Sequence, residues 1–260
     1  MIDFSGKRGL VLGVGNQRSI AWAIVEQLHE LGAELGLTYL TEPKGRFEAN
    51  VRKLGDKVGA SIIQECDVGN DDSIKQLIKT TEKEWGELDF LVHSLAFADY
   101  DDLNRPYSET SRIGFMKAHE ISTFSLLPLS NGVAPMMCKR GGGSILSISF
   151  IGAVLAVPNY NVMGSAKAAL EASTRYLARE LGPENIRANN ISAGAIRTLS
   201  SSGIKNFSEM LRVAGEHSAM LRTVTQAEVG KTAAFLLSDV SSGITGQTVY
   251  VDCGYSIMAN

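Results

Sequence analysis

Short apolar runs rich in β-branched residues alternate with helix-length amphipathic segments from one end of this chain to the other. Residues 10–14, 34–39, 61–65, 88–92, 144–149, 186–191 and 248–252 read as strands. Segments 19–31, 46–54, 72–85, 111–138 and 226–237 read as helices, as does one from about Asn159 to Leu181 that Gly182-Pro183 stops. Ser19 is placed to cap the first helix. Pro128 falls inside 111–138, so a kink or break is expected there, and Gly132 weakens the same region. Such alternation implies parallel strands joined by right-handed crossovers. The expected fold is α/β: one doubly wound parallel sheet of about seven strands with helices on both faces.

At 260 residues a chain of this type is expected to form one domain, 1–260, and no linker, repeat or low-complexity tract divides it. The net charge of −3, with signs interspersed, gives no electrostatic case for nucleic acid or an anionic membrane. Cys66, Cys138 and Cys253 lack metal-ligand spacing, so no metal is expected and a reducing cytoplasmic location is the simplest account. The N-terminus shows no signal-peptide apolar region, and no apolar run is long enough to insert in a bilayer.

In an open parallel sheet, ligands bind beyond the carboxyl ends of the strands, where the strand order reverses. Those ends carry Gly13-Val14-Gly15, Tyr39-Leu40, Asp67-Val68 and His93-Ser94-Leu95-Ala96. Glycines there admit a pyrophosphate close to the backbone, and the helix starting near Ser19 points its positive end at it. Gly15 is followed by Asn16-Gln17-Arg18-Ser19, so the common G-x-G-x-x-G spacing is not met, and an ordinary strand-to-helix turn is the competing reading. Asp67 is either a helix-start residue or an acceptor for an adenine amine. Its place directly after a strand favours the second.

Tyr160 and Lys167 are the candidate catalytic pair. A phenol with an ordinary pKa of about 10 is a hydroxyl donor at neutral pH. Beside an ammonium and a cofactor it can be aimed at a developing oxyanion. In a helix starting near Asn159, seven residues make close to two turns, so both side chains share a face. Taken alone, a packed aromatic and a snorkelling lysine are the better explanation of the pair, and the rest of the chain reverses that balance.

With these motifs the chain resembles the short-chain dehydrogenase/reductase superfamily. Within it, the chain looks like the NADH-dependent enoyl-acyl-carrier-protein reductases of type II fatty acid synthesis. The Tyr-x6-Lys spacing, Pro158-Asn159-Tyr160-Asn161-Val162-Met163-Gly164, Ile191-Ser192-Ala193-Gly194 and Gly243-Ile244-Thr245-Gly246 carry the resemblance over essentially the whole chain. It implies a Rossmann-type fold and NADH as cofactor, with NADPH not excluded. It also implies an acyl-carrier protein bearing an enoyl thioester as partner, and a homotetramer. Small residues along the Tyr160 helix (Ala166, Ala168, Ala169, Ala172, Ser173) are compatible with close helix packing.

Carried over, the resemblance places Tyr160 on the thioester carbonyl and Lys167 on the nicotinamide ribose. Gly13, Ser19 and Ile20 fall at the phosphates, Asp67 and Val68 around the adenine, Leu95 and Ala96 by the ribose and nicotinamide, and Ile196 and Thr198 at the carboxamide and pyrophosphate. Ala98, Phe150 and Met163 join Tyr160 around the substrate, and residues 199–220 form a mobile flap.

Several positions depart from the family's usual pattern. Phe150 stands where the family has a second tyrosine, Leu40 where it has a glutamine, and Ala195 and Asp99 where it has prolines. Ser147, thirteen residues before Tyr160, keeps open a carbonyl reductase of the same superfamily. Ser149 instead satisfies the Ser-x-x-Gly pattern. A nucleotide-binding regulator without catalysis is the third reading, and the Tyr160/Lys167 pair argues against it. For the cofactor, no acid stands at the end of the second strand; Glu42 is slightly late, and Lys44 and Arg46 follow it.

Overall fold

A computed structural model describes residues 2–259. Its first half contains β1 (Arg8–Leu12), α1 (Ile20–Glu30), β2 (Glu34–Tyr39), α2 (Arg46–Val58), β3 (Ile62–Glu65), α3 (Asp71–Trp85) and β4 (Phe90–His93). Next come α4 (Tyr100–Asn104), α5 (Arg112–His119), a π turn (Glu120–Phe124), α6 (Leu126–Lys139) and β5 (Gly143–Phe150). Last are α7 (Asn161–Leu181), β6 (Ile186–Ala193), α8 (Phe207–His217), α9 (Gln226–Leu237) and β7 (Thr248–Val251). The strands form one sheet in the order β3-β2-β1-β4-β5-β6-β7, every pairing parallel.

Alternation along each strand divides the core between two faces. Val11, Phe90, Val92, Leu146 and Ile148 pack with α1, α2 and α9. Leu10, Leu12, Leu91 and Ile145 pack with α3, α6 and α7. This is the expected doubly wound architecture. The order reverses at β1, whose neighbours are β2 and β4, so a crevice opens above their carboxyl ends.

Four expectations are corrected. The strand expected at 10–14 is Arg8–Leu12, because Arg8 pairs with Glu34 and Gly9 lies against the Phe90 ring, where a Cβ would fall 1.9 Å away. The break expected in 111–138 is present, but not at Pro128 itself. It falls at the π turn, just ahead of Pro128, which leaves that proline in the first turn of α6 where a missing N–H costs little. Gly132 is less a weak point than a contact, since a Cβ there would meet Ile78 of α3 at 2.6 Å. Finally, α7 begins at Asn161 rather than near Asn159, which leaves Tyr160 as its cap residue. The short helix α4 and the helix α8 within 199–220 were not anticipated.

Candidate active site

The β1–α1 and β4 loops touch at the crevice floor. Gly13 has φ +99°, and a Cβ on it would lie 2.0 Å from the Ser94 carbonyl oxygen, so only glycine permits the approach. Ser19 caps α1: its hydroxyl accepts from the Trp22 N–H at 3.3 Å and donates to the Asn16 carbonyl at 2.7 Å. Ile20 opens the helix, so its N–H has no partner within it and faces the end where an anion is favoured. A glycine cradle beside a capped helix N-terminus fits a pyrophosphate.

Beyond the carboxyl end of β3, Val68 is buried and Asp67 exposed. Asp67 does not start α3. Asn70 caps that helix through the Asp72 and Ser73 N–H groups, while Asp67 Oδ1 accepts from the Gly69 N–H at 2.9 Å. Leu40 is exposed at the end of β2. The Glu42 carboxylate folds back onto the Lys44 and Arg46 N–H groups at the start of α2. Ile196 is half-buried against the core, and Thr198 is tied to Ser201 by reciprocal hydrogen bonds that open the turn Ser200–Gly203.

Tyr160 is only 8 % exposed. Two asparagines hold it: Asn159 at φ 61° and Asn161 at φ 33° both occupy left-handed backbone, a conformation asparagine tolerates better than most residues. The Asn161 amide donates to the Leu103 and Arg105 carbonyls, and the Asn159 amide to the Lys205 carbonyl. The Tyr160 ring lies 4.7 Å from that of Phe150 and fills the space a Cβ on Gly152 would take. Its hydroxyl has no hydrogen-bond partner among the described residues. Burial raises its pKa well above the ordinary phenol value, so it remains a donor across the working pH range. All four expected substrate residues meet here: Ala98, Phe150, Tyr160 and Met163 form one cluster, joined by Val157 and Ile204.

Lys167 is 4 % exposed. Its Nζ donates to the Ile148 carbonyl at 2.7 Å and the Leu95 carbonyl at 3.1 Å, which leaves one N–H for a ligand. Burial pulls its pKa down to about 8, with Glu171 opposing the shift. Beneath it, His93 is fully buried and held neutral, its pKa pushed down to about 3 by burial and by the Lys167 charge. The Ser125 hydroxyl donates to the Ile121 carbonyl, so the His93 Nε2–H is the donor in their 2.8 Å contact.

The π turn and the residue after it supply three anchors that the sequence reading missed. Ser122 accepts from the Phe97 N–H, Thr123 donates to the Ala166 carbonyl, and Ser125 meets His93. One irregular turn therefore ties together the loop after β4, the Lys167 turn of α7 and the end of β4. No local sequence signal marks these hydroxyls, because their partners are 25 to 43 residues away. Ser147 is 1 % exposed, with a hydroxyl that has no partner among the described residues, and Ser149 is committed to Glu171 at 2.5 Å.

An apolar cavity of about 280 Å³ adjoins the cluster, lined by Phe150, Val157, Met210, Val213, Ala214 and Tyr255. A smaller polar cleft of about 100 Å³ lies far from this chemistry, around Lys7, Asp89 and Arg140. Its charges are paired among themselves, so it reads as structural.

A dinucleotide crevice at a β1/β4 switch point, with a buried tyrosine–lysine pair at its rim, defines an oxidoreductase of the short-chain dehydrogenase/reductase class. The sequence profile described as Enoyl-(Acyl carrier protein) reductase matches residues 13–256. The NADH enoyl-acyl-carrier-protein reductase of Nostoc sp. (strain PCC 7120) is 54 % identical over 258 residues, 99 % of either chain. A Bacillus cereus enoyl-acyl carrier protein reductase, solved with NADP+ and indole naphthyridinone, superposes with TM-score 0.95 at 45 % identity, covering 100 % of both chains. An Anaplasma phagocytophilum reductase solved with NAD gives TM-score 0.93 at 43 % identity, over 99 % of this chain and 96 % of that one. The chain belongs to the enoyl-acyl-carrier-protein reductase family.

Proposed function

We infer that the protein reduces the carbon–carbon double bond of a trans-2-enoyl thioester borne by an acyl-carrier protein, with NADH as reductant. One observation carries the mechanism: the Tyr160 phenol, with no hydrogen-bond partner among the described residues, stands in an apolar cluster, and the buried Lys167 ammonium of α7 keeps one N–H free of protein carbonyls. When bound, NADH supplies hydride to the β-carbon. Tyr160 donates a hydrogen bond to the thioester oxygen as negative charge develops on it. Lys167 uses its remaining N–H to hold the ribose hydroxyls, and its charge favours the same oxyanion. Ala98, Phe150 and Met163 surround the acyl group and exclude water.

Gly13 and the α1 N-terminus, with Ser19 and Ile20, receive the pyrophosphate. Val68 and Asp67 flank the adenine, Leu95 lies by the ribose, and Ile196 and Thr198 reach the carboxamide side. NADH as reductant rests on the likeness to relatives described as NADH-dependent. The chain is read as one catalytic domain whose segment 199–220, including α8, closes over the acyl chain. The working form is a cytoplasmic homotetramer, consistent with the exposed Ile113 and Tyr176 on α5 and α7. No helix among the described residues is long and apolar enough to cross a membrane.

NADH oxidation by the purified protein tests the reading. Turnover is expected with a crotonyl thioester and not with an acetoacetyl thioester. The reverse preference would make it a carbonyl reductase, and turnover of neither would leave a nucleotide-binding regulator.

Phe150 adds a second test. The wild type is expected to be active, because the donor is Tyr160 and the Phe150 ring shapes the pocket. Since Phe150 lines the cavity, Phe150→Tyr is expected to raise kcat/KM with little change in Tm. A stability loss of about 1–3 kcal/mol without kinetic gain would instead place the new hydroxyl, unpartnered, against protein. An inactive wild type rescued by the substitution would overturn the assignment of Tyr160 as sufficient donor.

A further inference from the structure

Lys167 is a buried ammonium whose two protein partners are neutral carbonyls, an arrangement that is costly without an opposite charge nearby. One helical turn further along α7, Glu171 is likewise buried, 7 % exposed, on the same face. Both side chains close on adjacent residues of β5. Lys167 donates to the Ile148 carbonyl at 2.7 Å, and Glu171 accepts from the Ser149 hydroxyl at 2.5 Å. That hydroxyl fixes the carboxylate at the strand residue next to the one that holds the lysine, so the two charges act on one another through the interior rather than as a direct ion pair.

We propose that Glu171, held by Ser149, is a positioning residue: the buried counter-charge that keeps Lys167 an ammonium aimed at the cofactor. The inference rests on the reading of Lys167 as the ribose-binding residue. The remaining surroundings favour this role. From β4 comes His93, fully buried and neutral, so it offers no negative charge. From the π turn and β5 come hydroxyls and carbonyls, and Glu120 of that turn is exposed. Tyr160 contributes a protonated phenol. Tyr250 of β7 lies within electrostatic reach of Glu171 and of Asp252. Arg175, one turn beyond Glu171, donates to its backbone carbonyl at 3.2 Å and not to its carboxylate. Glu171 is thus the acid that acts on Lys167, and it opposes the downward pull of burial on that ammonium.

The experiment is NADH binding measured by fluorescence titration from pH 6 to 10 on wild type, Glu171→Gln, Glu171→Asp and Lys167→Ala. Wild-type affinity is expected to fall as pH rises through about 8, where Lys167 loses its proton. In Glu171→Gln that midpoint is expected to drop by about one, a tenfold change in the protonation equilibrium. Glu171→Asp keeps the charge but draws it back by one methylene, so a smaller drop is expected. A Glu171→Gln midpoint equal to wild type overturns the proposal, because a purely structural role would weaken binding without moving the pH profile. Should Glu171→Gln not fold, an unmoved midpoint in Glu171→Asp does the same. Lys167→Ala tests the ribose-binding role separately: wild-type NADH binding in that variant would remove the assignment of Lys167 to the cofactor.

Discussion

Tyr160→Phe is expected to lower kcat for enoyl reduction by about a hundredfold or more, the usual cost of removing one preorganised oxyanion donor. NADH affinity should stay near wild type, since the substitution removes no group assigned to the cofactor. The fold should survive as well. Phenylalanine keeps the ring that packs 4.7 Å from Phe150 and fills the space over Gly152, and the lost hydroxyl has no partner among the described residues to orphan. Steady-state kinetics with a crotonyl thioester, alongside an NADH titration and a melting curve, separates these effects. Wild-type turnover in the variant would sink the assignment. The pH dependence has a definite sign: burial raises the Tyr160 pKa, so no alkaline loss of activity near neutrality should trace to this phenol.

Lys167→Ala is expected to act one step earlier, on cofactor binding. A hydrogen bond from a charged group contributes about 1.5–3 kcal/mol, so the NADH dissociation constant should rise roughly ten- to a hundredfold. An unchanged constant with reduced turnover would assign Lys167 a different role. The wild-type alkaline limb follows from the same residue, since its pKa of about 8 places loss of the ammonium, and of its hold on NADH, above that pH.

In the folding equilibrium the sign is opposite. Lys167 binds its proton less firmly when folded than its ordinary 10.5, so between about pH 8 and 10.5 the unfolded chain carries more of the proton. Through that window this group's contribution to stability rises with pH while cofactor affinity falls. Measuring melting temperature and NADH affinity on the same pH series tests the divergence.

The two predictions draw on different kinds of information. Tyr160 and Lys167 stand out in the chain by residue type and spacing once the surrounding motifs and the family likeness are weighed with them. Strands β2 and β5 and helices α1 and α9 stand out because hydrophobic periodicity and capping residues are local properties. Ser19 caps α1, and Thr225 with Glu228 forms a capping box at α9, within four residues of the backbone they serve. The cluster of Ala98, Phe150 and Met163 around Tyr160 was legible only through likeness to a family.

Local pattern failed where distant partners decide. The first strand begins at Arg8 because Glu34 and the Phe90 ring lie opposite, not because Arg8 or Gly9 favours extended chain. The π turn, the left-handed asparagines on either side of Tyr160 and the shared anchorage of Lys167 and Glu171 on β5 follow from packing α5, α6 and α7 against strands far away in sequence. The amino-acid order by itself determined which elements form and which residues can do chemistry, since propensity, periodicity and side-chain reactivity act over a few residues. Only the tertiary structure decided how Lys167 comes to be buried against two backbone carbonyls and how the Tyr160 hydroxyl is left without a partner among the described residues, because burial and neighbours depend on which distant segments the fold brings together.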